Sequence, residues 1–203
     1  SEDSTSSGSL PQDPRNPAGE WGLQDFSRRH ALAVNYMWIV PFYKDGRGLA
    51  GGFLGGWQIT GITKFNSGRR LNITAGTNTA IFGDQVTIRA NLVEGQDPNS
   101  EPSGGRTEQQ WLNTAAFARP AANTLGTLER NAVEGPGFFA TDVSLVKNVR
   151  VGKFRVQFRA EAFNVFNQKN YRTISTSVTN VNCGAVTEYE AQRIKQFGAK
   201  LSF

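Results

Sequence analysis

Five stretches of the chain alternate apolar and polar residues with a period of two, the pattern of strands that are apolar on one face. In the first, about residues 31–40, Leu32, Val34, Tyr36, Trp38 and Val40 oppose Ala31, Ala33, Asn35, Met37 and Ile39. Pro41 ends this run, and a glycine-rich connector through Gly46, Gly48, Gly51, Gly52, Gly55 and Gly56 leads to the second, about 57–66. There Trp57, Ile59, Gly61, Thr63 and Phe65 oppose Gln58, Thr60, Ile62, Lys64 and Asn66. The third, about 139–149, sets Phe139, Val143 and Leu145 against Asp142, Ser144 and Asn148. The fourth, about 154–164, is the most regular: Phe154, Val156, Phe158, Ala160 and Ala162 alternate with Arg155, Gln157, Arg159 and Glu161. The fifth, about 194–203, sets Phe197, Ala199, Leu201 and Phe203 against Gln196, Gly198, Lys200 and Ser202.

A half-buried soluble sheet, as in a β-sandwich, produces the same alternation. Length separates the two cases. Soluble strands average about 5–6 residues, whereas tilted strands that cross a bilayer need about 9–11. Aromatic placement agrees with the second case. If the runs pair up and down, Trp38, Trp57, Phe154 and Phe203 gather at one end, as an interfacial girdle does. The connections at that end are short (about 148–153) or moderate (about 41–56), while those at the other are long (about 67–137 and 165–193). Outer-membrane barrels have short periplasmic turns and long extracellular loops. The expected fold is therefore all-β: an antiparallel transmembrane β-barrel segment of about five long strands, the last of a larger barrel, with long extracellular loops. Residues 1–29 form an extracellular loop remnant, 30–203 the C-terminal barrel segment, and 67–137 its long extracellular loop.

Composition removes most chemistry. The 203 residues include one histidine, His30, and one cysteine, Cys183. Neither a zinc site, a Cys-His dyad nor a Ser-His-Asp triad can form without His30, which is expected to be an interfacial polar residue. No catalytic residue, metal or cofactor is expected, and no enzymatic activity. The net charge of +5 is spread along the chain without a nucleic-acid-binding module, so no nucleic acid is expected as a partner. No apolar run reaches the length of a transmembrane helix, and Ser1 to Gly8 do not form a signal peptide.

The final residues Gln196-Phe197-Gly198-Ala199-Lys200-Leu201-Ser202-Phe203 resemble the β-signal of bacterial outer-membrane proteins. Gln196, Gly198, Leu201 and Phe203 hold its positions, which implies recognition by the barrel-assembly machinery. Five further stretches, in order, resemble the C-terminal barrel portion of TonB-dependent receptors of the Oar-like group, whose full-length members carry a carboxypeptidase-regulatory-like domain. They are Asp25-Phe26-Ser27-Arg28-Arg29-His30, Gly55-Gly56-Trp57-Gln58-Ile59-Thr60-Gly61, Trp111-Leu112-Asn113-Thr114-Ala115-Ala116-Phe117, Arg130-Asn131 with Gly135-Pro136-Gly137, and Phe158 through Asn167. The resemblance implies a bacterial outer-membrane location and a role in transport or reception. It also implies partners in outer-membrane lipid and in the rest of a receptor, its plug and other strands. A full receptor of this kind has a 22-strand barrel and a TonB box, and five strands supply neither.

In that reading Gln58, Thr60, Lys64, Asp142, Arg155, Gln157, Arg159 and Glu161 face a polar lumen, with an ion pair between Arg159 and Glu161. Leu32, Val34, Tyr36, Ile59, Phe65, Val143, Leu145, Val156, Phe158, Phe197 and Leu201 face lipid. Trp111 is the candidate ligand contact in the long loop. The alternative is a free-standing structural or interaction protein that assembles with other β chains through its exposed strand edges.

Overall fold

The computed structural model describes residues 11–42, 48–78 and 86–203. The first ten residues of the 1–29 segment, Gly46 of the connector and residues 79–85 of the long loop lie outside them. In chain order the elements begin with a 3-10 turn at Pro17–Glu20, β1 (Ala31–Ile39), α1 (Gly48–Leu54) and β2 (Trp57–Asn66). Short strands follow: β3 (Arg70–Leu71), β4 (Thr74–Asn78), β5 (Val86–Arg89), β6 (Asn91–Leu92), β7 (Phe117–Ala118) and β8 (Val133–Glu134). Then come β9 (Phe138–Val151), β10 (Phe154–Phe163), β11 (Tyr171–Ile174), β12 (Val186–Tyr189) and β13 (Ile194–Ser202).

The chain divides into two compact units. One holds residues 30–66, 138–170 and 190–203, the other residues 1–29, 67–137 and 171–189. In the first, the five long strands form one antiparallel sheet in the order β1-β2-β9-β10-β13. These are the five runs of the sequence, with β9 extending a residue or two beyond the expected bounds at each end. The order is that of the chain, so the sheet is a meander, and it is not closed. β9 and β10 meet in a tight turn at Gly152 and Lys153, where Gly152 takes the left-handed conformation (φ 58°) that such hairpin turns require.

Beyond β10 the turn is built by asparagines. Asn164 and Asn167 take positive φ, which short polar side chains tolerate best after glycine. The Asn164 carboxamide bridges the Gln168 backbone N–H and C=O, each at 2.9 Å. Asn170 does the same to Phe139, accepting from its N–H at 2.9 Å and donating to its C=O at 2.8 Å.

The second unit has a conventional core. Leu71, Ile73, Ala90, Leu112, Ala116, Phe117, Leu128, Val133 and Ile174 pack together, with Ile73 and Val133 essentially inaccessible. Its strands pair as β3 with β8, β4 with β5, β6 with β7 and β11 with β12. The stretch expected to be a long loop is therefore folded on a core of its own, and residues 171–189, between the fourth and fifth long strands, belong to the same unit. Among the described residues no helix is long and apolar enough to cross a membrane.

Candidate functional site

Partners in an antiparallel ladder place their side chains on the same face, so register alone sorts the sheet into two surfaces. On one, Leu32 opposes Phe65, Val34 Thr63, Tyr36 Gly61 and Trp38 Ile59. The row continues through Phe139, Thr141, Val143 and Leu145 of β9, and Val156, Phe158, Ala160 and Ala162 of β10. It ends at Phe197, Ala199 and Leu201 of β13. This apolar face is uncovered: Leu32 is 58% exposed, Phe158 51% and Phe197 83%.

Two details fit an apolar environment. The hydroxyls of Thr63 and Thr141 lie 3.1 Å apart and satisfy one another. The far end of the Tyr36 ring covers its partner Gly61, where any Cβ would collide with it. Trp38, Trp57 and Phe154 stand at one end of the face; Phe65 and Phe139 stand paired at the other. From Trp57 to Phe65 a strand rises about 27 Å at about 3.4 Å per residue, close to the roughly 25 Å apolar band of outer-membrane barrels.

The opposite face carries Gln58, Thr60 and Lys64 of β2, Asp142 of β9, and Arg155, Gln157, Arg159 and Glu161 of β10. Arg159 Nη1 is 3.6 Å from Glu161 Oε1, with the arginine half exposed. The Gln196 side-chain amide donates to the other oxygen of the same carboxylate. Gln157 donates to Asn148 Oδ1 at 3.0 Å, and Asp142 Oδ1 accepts the Asn164 backbone N–H at 2.9 Å. A concavity of about 510 Å³ lies on this face, lined by Asn35, Thr60, Asp142, Ser144 and Glu161 around apolar Met37, Ile62 and Phe163. Its carboxylates and hydroxyls suit hydrogen-bond donors, and its apolar floor suits side chains of a packed segment. Of the β-signal residues, Gln196 and Gly198 lie on the polar face and Leu201 on the apolar face against Val156. Phe203 follows the end of β13.

Lys147 is the residue that sequence reasoning passed over. It lies on the apolar face between Trp57 and Phe158, yet is only 7% exposed. Its ammonium donates to the Phe53 carbonyl at 3.0 Å and to the Gly55 carbonyl, and sits 5.2 Å from the Trp57 ring centroid. The alternation Val143, Leu145, Lys147, Val149 already put one cation among apolar positions.

In the other unit the polar centre is an ion network. Arg89 Nη1 bonds both Glu20 carboxylate oxygens at 2.8 Å, its Nε donates to the Leu128 carbonyl at 2.9 Å, and Nη2 to the Gly19 carbonyl at 3.1 Å. Gln12 links the same residues, accepting from the Arg89 N–H and donating to the Gly126 carbonyl, and Arg130 lies 3.9 Å from Glu20. No sequence signal marked Glu20.

Trp111, also in this unit, packs against the core, meets Tyr171 edge-on at 5.3 Å and has the Arg106 guanidinium 5.2 Å away. Its buried indole N–H meets no hydrogen-bond partner among the described residues. Burial pushes the Cys183 thiol above its ordinary range. Among the described residues no three His, Cys, Asp or Glu gather as a metal site would require.

A family model described as an outer membrane beta barrel domain matches residues 1–196. No curated protein and no solved structure matches the chain.

Proposed function

Because the chain belongs to the outer membrane beta barrel domain family, we propose that its sheet is part of the barrel wall of a TonB-dependent receptor of the Oar-like group, which binds or imports a ligand. The protein is an all-β protein of the bacterial outer membrane. The observation that favours a place in a larger barrel wall is the pair of open edges. Among the described residues β1 and β13 each have a partner on one side only. Backbone groups left unpaired in hydrocarbon cost several kcal/mol each, and bacterial single-chain barrels have an even number of strands, at least eight. Further strands must complete this wall, and the ordered stretches that resemble TonB-dependent receptors support that kind of barrel as their source.

In this reading the apolar face meets outer-membrane lipid. The face carrying Gln58, Thr60, Lys64, Asp142, Arg155, Gln157, Arg159 and Glu161 lines the lumen, where its concavity receives the plug. The end bearing Gly152 is periplasmic. The core-bearing unit is extracellular, with Trp111 the side chain to test for ligand contact. Gln196, Gly198, Leu201 and Phe203 engage the barrel-assembly machinery.

The test is the intact mass of the native polypeptide carrying this sequence, taken from outer membranes, with TonB co-purification as the second readout. A mass on the order of 100 kDa, the scale of a plug within a 22-strand barrel, together with TonB retention, is expected. A mass with room for fewer than eight strands replaces the receptor with the alternative: a β chain whose open edges are completed by other chains.

A further inference from the structure

We propose that α1 is an interfacial helix, docked on the end of the apolar face and holding Phe53 in the lipid at the membrane boundary. The proposal goes beyond the receptor reading but rests on its assignment of that face to lipid.

The last carbonyls of a helix have no partner within it and carry the negative end of its dipole. In α1 both needs are met by side chains of the apolar face. The Phe53 carbonyl accepts the Trp57 indole N–H at 3.0 Å and the Lys147 ammonium at 3.0 Å. The Gly55 carbonyl, one residue past the helix end, accepts Lys147 as well. Trp57 and Lys147 are cross-strand partners on that face. The last turn of α1 is therefore fixed to the apolar surface from two adjacent strands.

The same contacts explain how a cation sits there. Lys147 is surrounded by carbonyl oxygens and an aromatic ring, and at 7% exposure it does not depend on water. The helix in turn presents apolar groups outward. Its sequence, GLAGGFL, contains no charged residue, and Phe53 is 74% and Leu54 45% exposed. Trp38, on the apolar face at the same end of the sheet, is 52% exposed. The sequence of α1 offers no polar side chain to a partner. Its exposed side chains extend a surface already apolar, which is what a lipid boundary takes.

The test is nitroxide accessibility in the membrane-inserted protein. On a Cys183→Ser background, spin labels are placed through Phe53→Cys, Phe158→Cys and Lys153→Cys, the last in the β9–β10 turn. Collision with oxygen, which concentrates in lipid, is compared with collision with a water-soluble nickel chelate. The label at 53 is expected to resemble that at 158, with nickel collision several-fold below that at 153. If 158 lies in lipid while 53 matches 153, the interfacial helix is overturned and the lipid-facing assignment stands. If 158 itself is aqueous, that assignment falls and takes the helix with it. Adding Lys147→Met to the Phe53→Cys protein is expected to raise both the mobility and the nickel accessibility of the label. An unchanged spectrum would overturn the role given to Lys147.

Discussion

The core-bearing unit and the sheet contrast in what they do with apolar residues. In the first, strands of only two to five residues enclose Ile73, Ala90, Ala116 and Val133 at 0–1% exposure. In the second, the nine residues of β1 and the nine of β13 are all exposed, although that unit holds the longer strands and most of the phenylalanines. Strand length and hydrophobicity do not by themselves make a core. What differs is the medium. The first unit carries its apolar solvent inside, as packed side chains; the sheet presents one face to a solvent the chain does not supply. The polar groups follow suit: Glu20 and Arg89 are enclosed and fully bonded, whereas Arg159 and Glu161 lie on an open face.

The largest expected effect tests the enclosed half of this contrast. Glu20→Ala strands Arg89 in a site 8% exposed, and removing one partner of a buried pair costs about 3–5 kcal/mol. Hydrogen exchange at the Ile73 and Val133 amides should accelerate accordingly, while amides of β9 and β10 keep their protection. Unaltered exchange at Ile73 would mean that the network is not what holds this unit.

Next comes Val143→Arg, which places a cation halfway along the apolar face, in register with Gly61 and Ala162. Near the bilayer midplane an arginine on a barrel's lipid face costs about 2–4 kcal/mol. Loss of the folded, membrane-inserted fraction is expected, and normal insertion would mean this face does not meet lipid. Gly61→Ala is milder: the added methyl must displace the far end of the Tyr36 side chain, which lies on the uncovered face, so only a small fall in the melting temperature of the inserted protein is expected.

Arg159→Ala removes an ion pair whose arginine is half exposed and should cost about 0–1 kcal/mol. A loss as large as that of Glu20→Ala would erase the difference drawn between the two polar clusters. The smallest effect concerns Cys183. With its thiol held above the usual 9.0, alkylation of the folded protein should stay slow at pH 8 and accelerate only above pH 9, unlike the unfolded chain. Because the folded state keeps this proton longer, the small associated stabilisation is complete below pH 9 and is lost as pH rises through the folded-state value. A rate at pH 8 equal to that of unfolded protein would contradict the burial.

The sheet was largely legible in the sequence because a strand with one apolar face writes its pairing into every second residue, and a one-residue slip would invert both faces. The register keeps Val156, Phe158 and Leu201 on one side and Arg155, Gln157 and Gln196 on the other. The core of the other unit was nearly invisible. Leu71, Ile73 and Ala75, and Val86, Ile88 and Ala90, do alternate, but over runs too short to stand out from a loop. Glu20 and Arg89 are 69 residues apart, and neither carries a local signature of its partner. Lys147 was legible as a break in the pattern, although its partners, backbone carbonyls of Phe53 and Gly55, belong to no side-chain code.

The asparagine clasps and the strap at the base of the long insertion bear on how the sheet assembles. The Gly135 N–H donates to the Arg69 carbonyl at 2.8 Å, while next along the chain Asn66 pairs with Phe138. Likewise the Glu190 N–H bonds the Asn170 carbonyl at 2.9 Å. Each insertion thus leaves and re-enters the meander through one hydrogen-bonded gate. Once its interior has formed, β2 meets β9 as though across a short turn, and the closure entropy that lengthens with a floppy loop, about 0.6 kcal/mol for each doubling, no longer grows with what is inserted. The meander can therefore keep its order of assembly while the material between its gates changes in size and sequence.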